Sequence, residues 1–221
     1  MTAKSLFLLM ILSLQAGCAH ATMAIQPVGC EANPQLQAQR SAELEAIAKE
    51  DQADRVGSFE SLDWNKVNSR DLQRRIRVAA IFAEGCFKGS DDYASAATVY
   101  QHGTTADHYY QAFIWANKAV QLGDQSQLWW TAAALDRYLV KMGQKQLFGT
   151  QLSKNTSEKW CVQAVESSFP EATRIKYVKL SVKEQIANTL KGMGSSQNPA
   201  EVPVCNPSLK PSPQGTIPGF W

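Results

Sequence analysis

Between residues 90 and 143 the chain starts and stops a helix three times in succession, and this punctuation narrows the fold more than any other feature. Ser90 is a good N-cap, and Asp91 and Asp92 follow in the first turn, where the helix dipole favours negative charge. Tyr93, Ala96, Ala97 and Tyr100 then recur on one face before His102-Gly103 closes the segment. The next helix runs from about Thr105 to Leu122 and is stopped by Gly123. A further one begins after Asp124 and ends at Gly143, a natural C′ glycine.

The flanking segments extend the pattern. From Gln35 to about Val56, Leu36, Leu44, Ile47 and Ala48 recur at helical spacing, and residues 57–68, with Trp64, read as a loop. Ser69 to Phe87 reads as a helix capped by Ser69, with Leu72, Ile76, Ala80, Ala83 and Phe87 inward. Residues Ser157 to Ser168 read as a helix cut by Pro170, and RIKYVKLS (174–181) as a short strand. Ser181 and Glu184 form a capping-box pattern for a last helix to about Lys191. The expected fold is all-α, six to seven helices in a domain spanning 35–191. A leader (22–34) precedes it, and a proline-rich tail (192–221), mostly extended or disordered, follows.

The chain has 221 residues, 44% hydrophobic and 19% charged, which suits a globular body. Its formal charge is +2; without Lys4 it is +1, and no basic run offers a surface for nucleic acid. Lys4 belongs to an N-terminal segment laid out as a bacterial export signal: one lysine, an apolar run from Leu6 to Leu14, then small residues. That run falls short of the roughly 20 residues that span a bilayer. Two processing sites compete. Ala19-His20-Ala21 would release a soluble protein beginning at Thr22. Gln15-Ala16-Gly17-Cys18 resembles a lipoprotein signal, with Cys18 acylated and no other membrane attachment. The expected location is periplasmic or secreted, with an outer-membrane lipoprotein as the alternative. Four further cysteines remain, Cys30, Cys86, Cys161 and Cys205, an even number that fits two disulfides in an oxidising compartment. Of three possible connectivities, Cys30–Cys205 and Cys86–Cys161 is the expected one.

Two family resemblances cover the central region. Residues 96–139, with Ala96, Ala97, Tyr100, Gly103, Asp107, Ala112, Trp115, Lys118-Ala119, Gly123 and Ser126, resemble a Sel-type repeat, a relative of the tetratricopeptide repeat. The resemblance implies an antiparallel helical hairpin of a kind that presents a surface to protein partners. One such unit is too few to stand alone, so it must pack on the other helices. Residues 43–151 resemble a family of bacterial helical domains, many of them exported, to which no activity is assigned. Its pattern is matched by Asp51-Gln52 with Arg55, by Gln101-His102 with Asp107, and by Asp136-Arg137 followed by Gly143, Gln146, Phe148, Gly149, Thr150 and Gln151.

After export the only histidines are His102 and His108, so an imidazole base must be one of them. His102 falls near a helix C-terminus; His108 falls in a first turn and is expected to be solvent-exposed. The acid–base candidates are His102, Asp107 and Asp136. The ligand-binding candidates are Arg55, His102, Arg137, Gln146 and Gln151. His102, Asp107 and His108 match no standard metal spacing, and neither metal nor cofactor is expected. There is no phosphate loop, no H-E-x-x-H and no G-x-S-x-G. Asp136 and Arg137 point about 100° apart, and the expected role of the pair is to clasp the loop at 144–151. Trp115, Trp129 and Trp130 read as core, and the charged run at 49–55 as a solvated face with Arg55 the exception. The leading functional expectation is a helical module binding another envelope or exported protein, of immunity or inhibitor type in one version. The alternative is a small periplasmic hydrolase or ligand-binding protein built on the His/Asp/Arg/Gln set. Whether the chain is an enzyme stays open at this point.

Overall fold

A computed structural model describes residues 29–57 and 61–221, so the expected export signal and Cys18 lie outside the described residues. Four of the seven helices begin where the N-cap side chain satisfies a free N–H group. In α1 (Pro34–Ala53) the Asn33 side chain accepts from Leu36 N, with proline in the first turn. In α2 (Trp64–Ala83) Asp63 accepts from Lys66 N. At α3 (Ser90–Tyr100) Asp92 reaches back to Lys88 N and Gly89 N. At α4 (Ala106–Gln121) Thr105 accepts from His108 N. A single 3₁₀ turn leads into α5 (Leu128–Lys141). After a short hairpin, β1 (Leu152–Lys154) and β2 (Trp160–Val162), come α6 (Glu171–Val178) and α7 (Val182–Gly192), the last with the expected Ser181/Glu184 capping box.

The all-α expectation holds: seven α-helices and one two-stranded sheet make up the regular structure of the described residues. Helix α4 packs along both α3 and α5, and α1 lies on α3. The close approach follows from small side chains, since Ala96, Ala97, Ala112, Ala116, Ala119 and Ala132–Ala134 are all buried. One core lies between α1, α2, α3 and α4, around Leu44, Val78, Ile81, Val99 and Trp115. A second gathers Leu135, Leu139, Leu147, Phe148, Phe169 and Ile217 between α5, α6 and the C-terminal segment. Trp115 is buried in the first core, Trp130 is partly buried against it, and Trp129 stays 37% exposed. No helix of the described residues is long and apolar enough to cross a membrane.

Six expectations are corrected. Helix α2 begins at Trp64, five residues before Ser69, because Asp63 supplies the cap. Its buried face is rotated from the expected one. Leu72 and Ile76 are 49% and 55% exposed, and Ala80 and Ala83 are also outside; Val67, Asp71, Arg74, Arg75, Val78 and Ile81 face inward. The polar residues tolerate burial because they are paired, Arg74 with Asp54 and Asp71, and Asp71 with Arg55.

Residues 157–168 form no helix: they complete a turn, supply β2 (Trp160–Val162) and run on without regular structure. The Asn155 side chain accepts from Ser157 N and Lys159 N, turning the chain, and Leu152 pairs with Val162. Residues 174–178 belong to α6, which ends at Lys179 in a left-handed conformation (φ 61°). Arg174 lies inward there, donating to the Leu147 and Glu166 carbonyls.

The disulfides are Cys30–Cys86 and Cys161–Cys205. Cys30 N donates to Glu84 O at 3.1 Å, drawing the leader along the end of α2 and beside Cys86. Cys205 N donates to Val162 O, laying the tail along β2 beside Cys161. The tail is therefore ordered against the domain: Trp221 Nε1 donates to Ser212 O, Phe220 packs on Phe113 and Tyr177, and Trp221 on Phe169. Two disulfides are what a chain folding in an oxidising compartment carries.

Candidate functional site

The Asp136-Arg137 pair divides its work between two sides of α5. Asp136 has no exposure and is turned to the chain beyond the helix. Oδ1 accepts from Leu147 N (2.7 Å) and Phe148 N (3.0 Å); Oδ2 accepts from Thr150 N (3.0 Å) and Thr150 Oγ1 (2.9 Å). Burial pushes its carboxyl up to about 6, with those donors pulling the other way. Gly149 permits the turn, since its φ is 81° and a Cβ there would press on Val182. Gln146 completes the clasp: its amide is buried, donates to the carbonyls of Gln151 and Gln163, and accepts from Gln151 N. Asp136 and Gln146 thus hold the loop and touch no cleft.

Arg137, one residue on, emerges on the other side of the helix. Its NH1 donates to the Gln101 carbonyl at 2.7 Å, and its Nε to Gln151 Oε1 at 3.2 Å. The guanidinium lies over the Tyr109 ring, 5.8 Å from the centroid. Arg75 likewise donates to the His102 carbonyl, at 3.2 Å. Two arginines therefore satisfy carbonyls that the end of α3 leaves without helical partners. Gln151 stands behind Arg137, its own amide donating to Ala133 O and Thr150 Oγ1.

His102 follows α3 and is placed by close packing. A Cβ on Gly103 would fall 2.3 Å from that of His108, so only glycine lets α4 start so near the end of α3. His108 is half-buried, and its Nδ1 accepts from Thr104 N. It closes this turn instead of standing in solvent. His102 Nδ1 lies 2.8 Å from Oδ2 of Asp51, a residue of α1 with no exposure. A carboxylate can only accept, so Nδ1 carries the proton and Nε2 is left as the acceptor. Among the described residues none bonds Nε2. Burial lowers the pKa of the ring; Asp51 pulls it up, while Arg55 and Arg137 push it down. The net effect, burial foremost, favours the neutral ring.

Arg55 closes the floor. Its NH1 donates to Asp51 O (2.7 Å) and lies 3.2 Å from Oδ1; its NH2 bonds Asp71 (2.6 Å). Arg74 bonds Asp54 and Asp71, and Arg70 bonds Asp54. Three carboxylates here face three guanidiniums. Arg137 is outside that balance: among the described residues no carboxylate pairs with it, and burial and Arg55 both depress its pKa.

Above this floor opens a cleft of about 990 Å³. Arg55, Gln101, His102, Tyr109 and Arg137, with Asn68, Asp71, Ser153 and Lys154, line its polar part, while Leu62, Trp64, Leu152, Trp160 and Met193 line its apolar part. Of the five expected ligand residues, Arg55, His102 and Arg137 meet there, and Gln146 and Gln151 support from behind. Asp107 is exposed in the first turn of α4 and is not among the lining residues. No group of three metal-ligating side chains is assembled among the described residues. Reading 49–55 as a solvated face overlooked Asp51; its spacing of four from Arg55 was the available signal, placing both on one side of α1. No protein-family model, curated protein or solved structure matches the chain.

Proposed function

We propose that the cleft is the active site of a small exported hydrolase acting on an anion-bearing substrate. Arg137 is the observation that carries this reading. A half-buried guanidinium whose charge no carboxylate among the described residues balances is well placed to be neutralised by a ligand's carboxylate or phosphate arriving from the cleft. His102 supplies the chemistry beside it. Its neutral ring, oriented through Nδ1 by Asp51, takes a proton at Nε2 from a water that attacks the substrate's acyl or phosphoryl centre. The imidazolium then returns the proton to the leaving oxygen. Asp51 is a positioning residue, and Arg137 and Arg55 hold negative charge at the reacting end. The resemblance adds support: of the residues quoted for the family pattern, Arg55, His102 and Arg137 line one cleft, and Asp51 stands behind His102. On this reading the enzyme works in the periplasm or is secreted, with an outer-membrane lipoprotein acylated at Cys18 as the alternative.

The test is turnover of a panel of nitrophenyl carboxylic and phosphoric esters bearing a second acidic group. Turnover by wild type that His102→Gln abolishes without lowering the melting temperature supports the reading. Turnover untouched by that substitution, or none across the panel, removes it. One observation favours the binding-module reading instead: the row Leu72, Ile76, Ala80 and Ala83 lies exposed along α2. Its check is capture of an envelope protein by wild type and not by Ile76→Glu.

A further inference from the structure

The two ends of the cleft differ in chemistry. Its floor gathers Arg137, His102 and Arg55, with Asp71 held by Arg55; its walls carry Asn68, Ser153 and Lys154, but their large side chains are mostly apolar and come from three separate places. Leu62 and Trp64 stand at the start of α2, Leu152 and Trp160 in the hairpin, and Met193 at the end of α7. The wall is fixed in position. The Gln197 side chain brackets Trp160, accepting from its N–H at 3.0 Å and donating to its carbonyl at 2.8 Å. Lys154, opposite Trp160 in the sheet register, extends its ammonium over the indole, 5.6 Å from the centroid. A cleft of about 990 Å³ far exceeds what an inorganic anion fills. Apolar walls with a few convergent polar groups are the usual make-up of a small-molecule site.

We infer that the ligand is an amphiphilic monoanion, with a carboxylate or phosphate head on Arg137 beside His102 and an acyl or aryl body against Leu62, Trp64, Leu152, Trp160 and Met193. The inference rests on the anion-site reading above and names its substrate class. Each methylene that leaves water tightens binding by about fourfold when fully buried. The six methylenes by which octanoate exceeds acetate should therefore tighten binding at least ~30-fold even when only partly buried.

The experiment is calorimetric titration of the full folded chain with acetate, octanoate, 3-phenylpropionate and inorganic phosphate. Wild type is compared with Arg137→Gln, Arg137→Lys and the double variant Leu62→Ser/Met193→Ser. The latter two side chains are partly or largely exposed, so the double variant keeps the fold. The expected result is octanoate or phenylpropionate at least ~30-fold tighter than acetate. Arg137→Gln should abolish binding of all four probes, with Arg137→Lys retaining part. The double variant should lose the chain-length gain while acetate affinity stays as in wild type. Whether octanoate or phenylpropionate is preferred separates an acyl from an aryl source. Acetate and octanoate binding equally, both through Arg137, would overturn the amphiphile and leave the anion site standing. Octanoate binding unaffected by every variant would place it elsewhere on the surface and overturn the inference. Binding of none of the four probes would remove both readings.

Discussion

Replacing Asp136 by alanine separates two opposed terms at one buried carboxylate. The substitution leaves the N–H groups of Leu147, Phe148 and Thr150 without their acceptor in the interior. At about 2 kcal/mol for each orphaned donor, the gross loss is about 6 kcal/mol. Against this stands the cost of burying the charge. With the folded carboxyl at about 6 against an ordinary 3.8, ionising it inside the protein costs about 3 kcal/mol at neutral pH, and alanine removes that cost. The net loss at around pH 7.5 is then about 3 kcal/mol, or roughly 6–12 °C in melting temperature for a chain of this size. A carboxyl whose pKa is raised by folding binds protons more readily in the folded state. Its contribution is full below about 3.8 and is lost as the pH rises through about 6. Wild type therefore gains relative to the variant on acidification, and the deficit of Asp136→Ala is larger by about 2 kcal/mol at roughly pH 4.5 than at pH 7.5. Urea unfolding of both proteins at the two pH values measures this, since contributions from other groups cancel in the difference. A deficit that shrinks on acidification would refute the reasoning. It would mean that the clasp donors outweigh burial and hold the carboxyl below its ordinary range.

Asp51→Asn should lower the pKa of His102 further, because it removes the group that pulls it up; ring titration by NMR reads this, and an unmoved pKa would show the 2.8 Å contact to be uncoupled. The rotated face of α2 predicts that Leu72→Asp changes stability by no more than about 0.5 kcal/mol. Ile81→Ala, from the fully buried side of the same helix, should cost about 2–5 kcal/mol, and the opposite order in chemical denaturation would return the helix to the expected face. Phe220→Ala should destabilise by about 2 kcal/mol, less than a fully buried phenylalanine because its ring is only partly covered. Equal melting temperatures would mean that the tail does not pack on the domain. Cys161→Ser/Cys205→Ser should cost about 2–4 kcal/mol and make residues 192–221 the first site of limited proteolysis.

Much of the site was legible without being legible as a site. Arg55, His102 and Arg137 could be picked out because the resemblance quoted all three and His102 is one of only two histidines beyond residue 21. Asp51 was hidden among charged neighbours, since composition makes 49–55 look solvated, and only the packing of His102 against α1 shows that this carboxylate is buried. The apolar wall was invisible. Leu62, Trp64, Leu152, Trp160 and Met193 lie in three separate stretches of chain, and no local pattern links them.

Sequence alone determined the helices with strong local punctuation: Asp91-Asp92 after Ser90, Thr105, Gly123, Gly143 and the Ser181/Glu184 box are signals that act within one or two turns. It also determined the clasp at 136–151, because an aspartate on an apolar helix must find donors close by. Tertiary structure alone decided which face of α2 turned inward. There the apolar row lost to one carrying Asp71, Arg74 and Arg75, since ion pairs for Asp71 and Arg74 reaching up to 20 positions away, and the His102 carbonyl for Arg75, made burial of charge tolerable. It likewise decided the hairpin at 152–162, where Cys205 and the tail provide the second edge that a two-stranded ribbon lacks by itself. The disulfide pairing and the docking of Phe220 and Trp221 belong with these, because all depend on contacts between segments far apart in the chain.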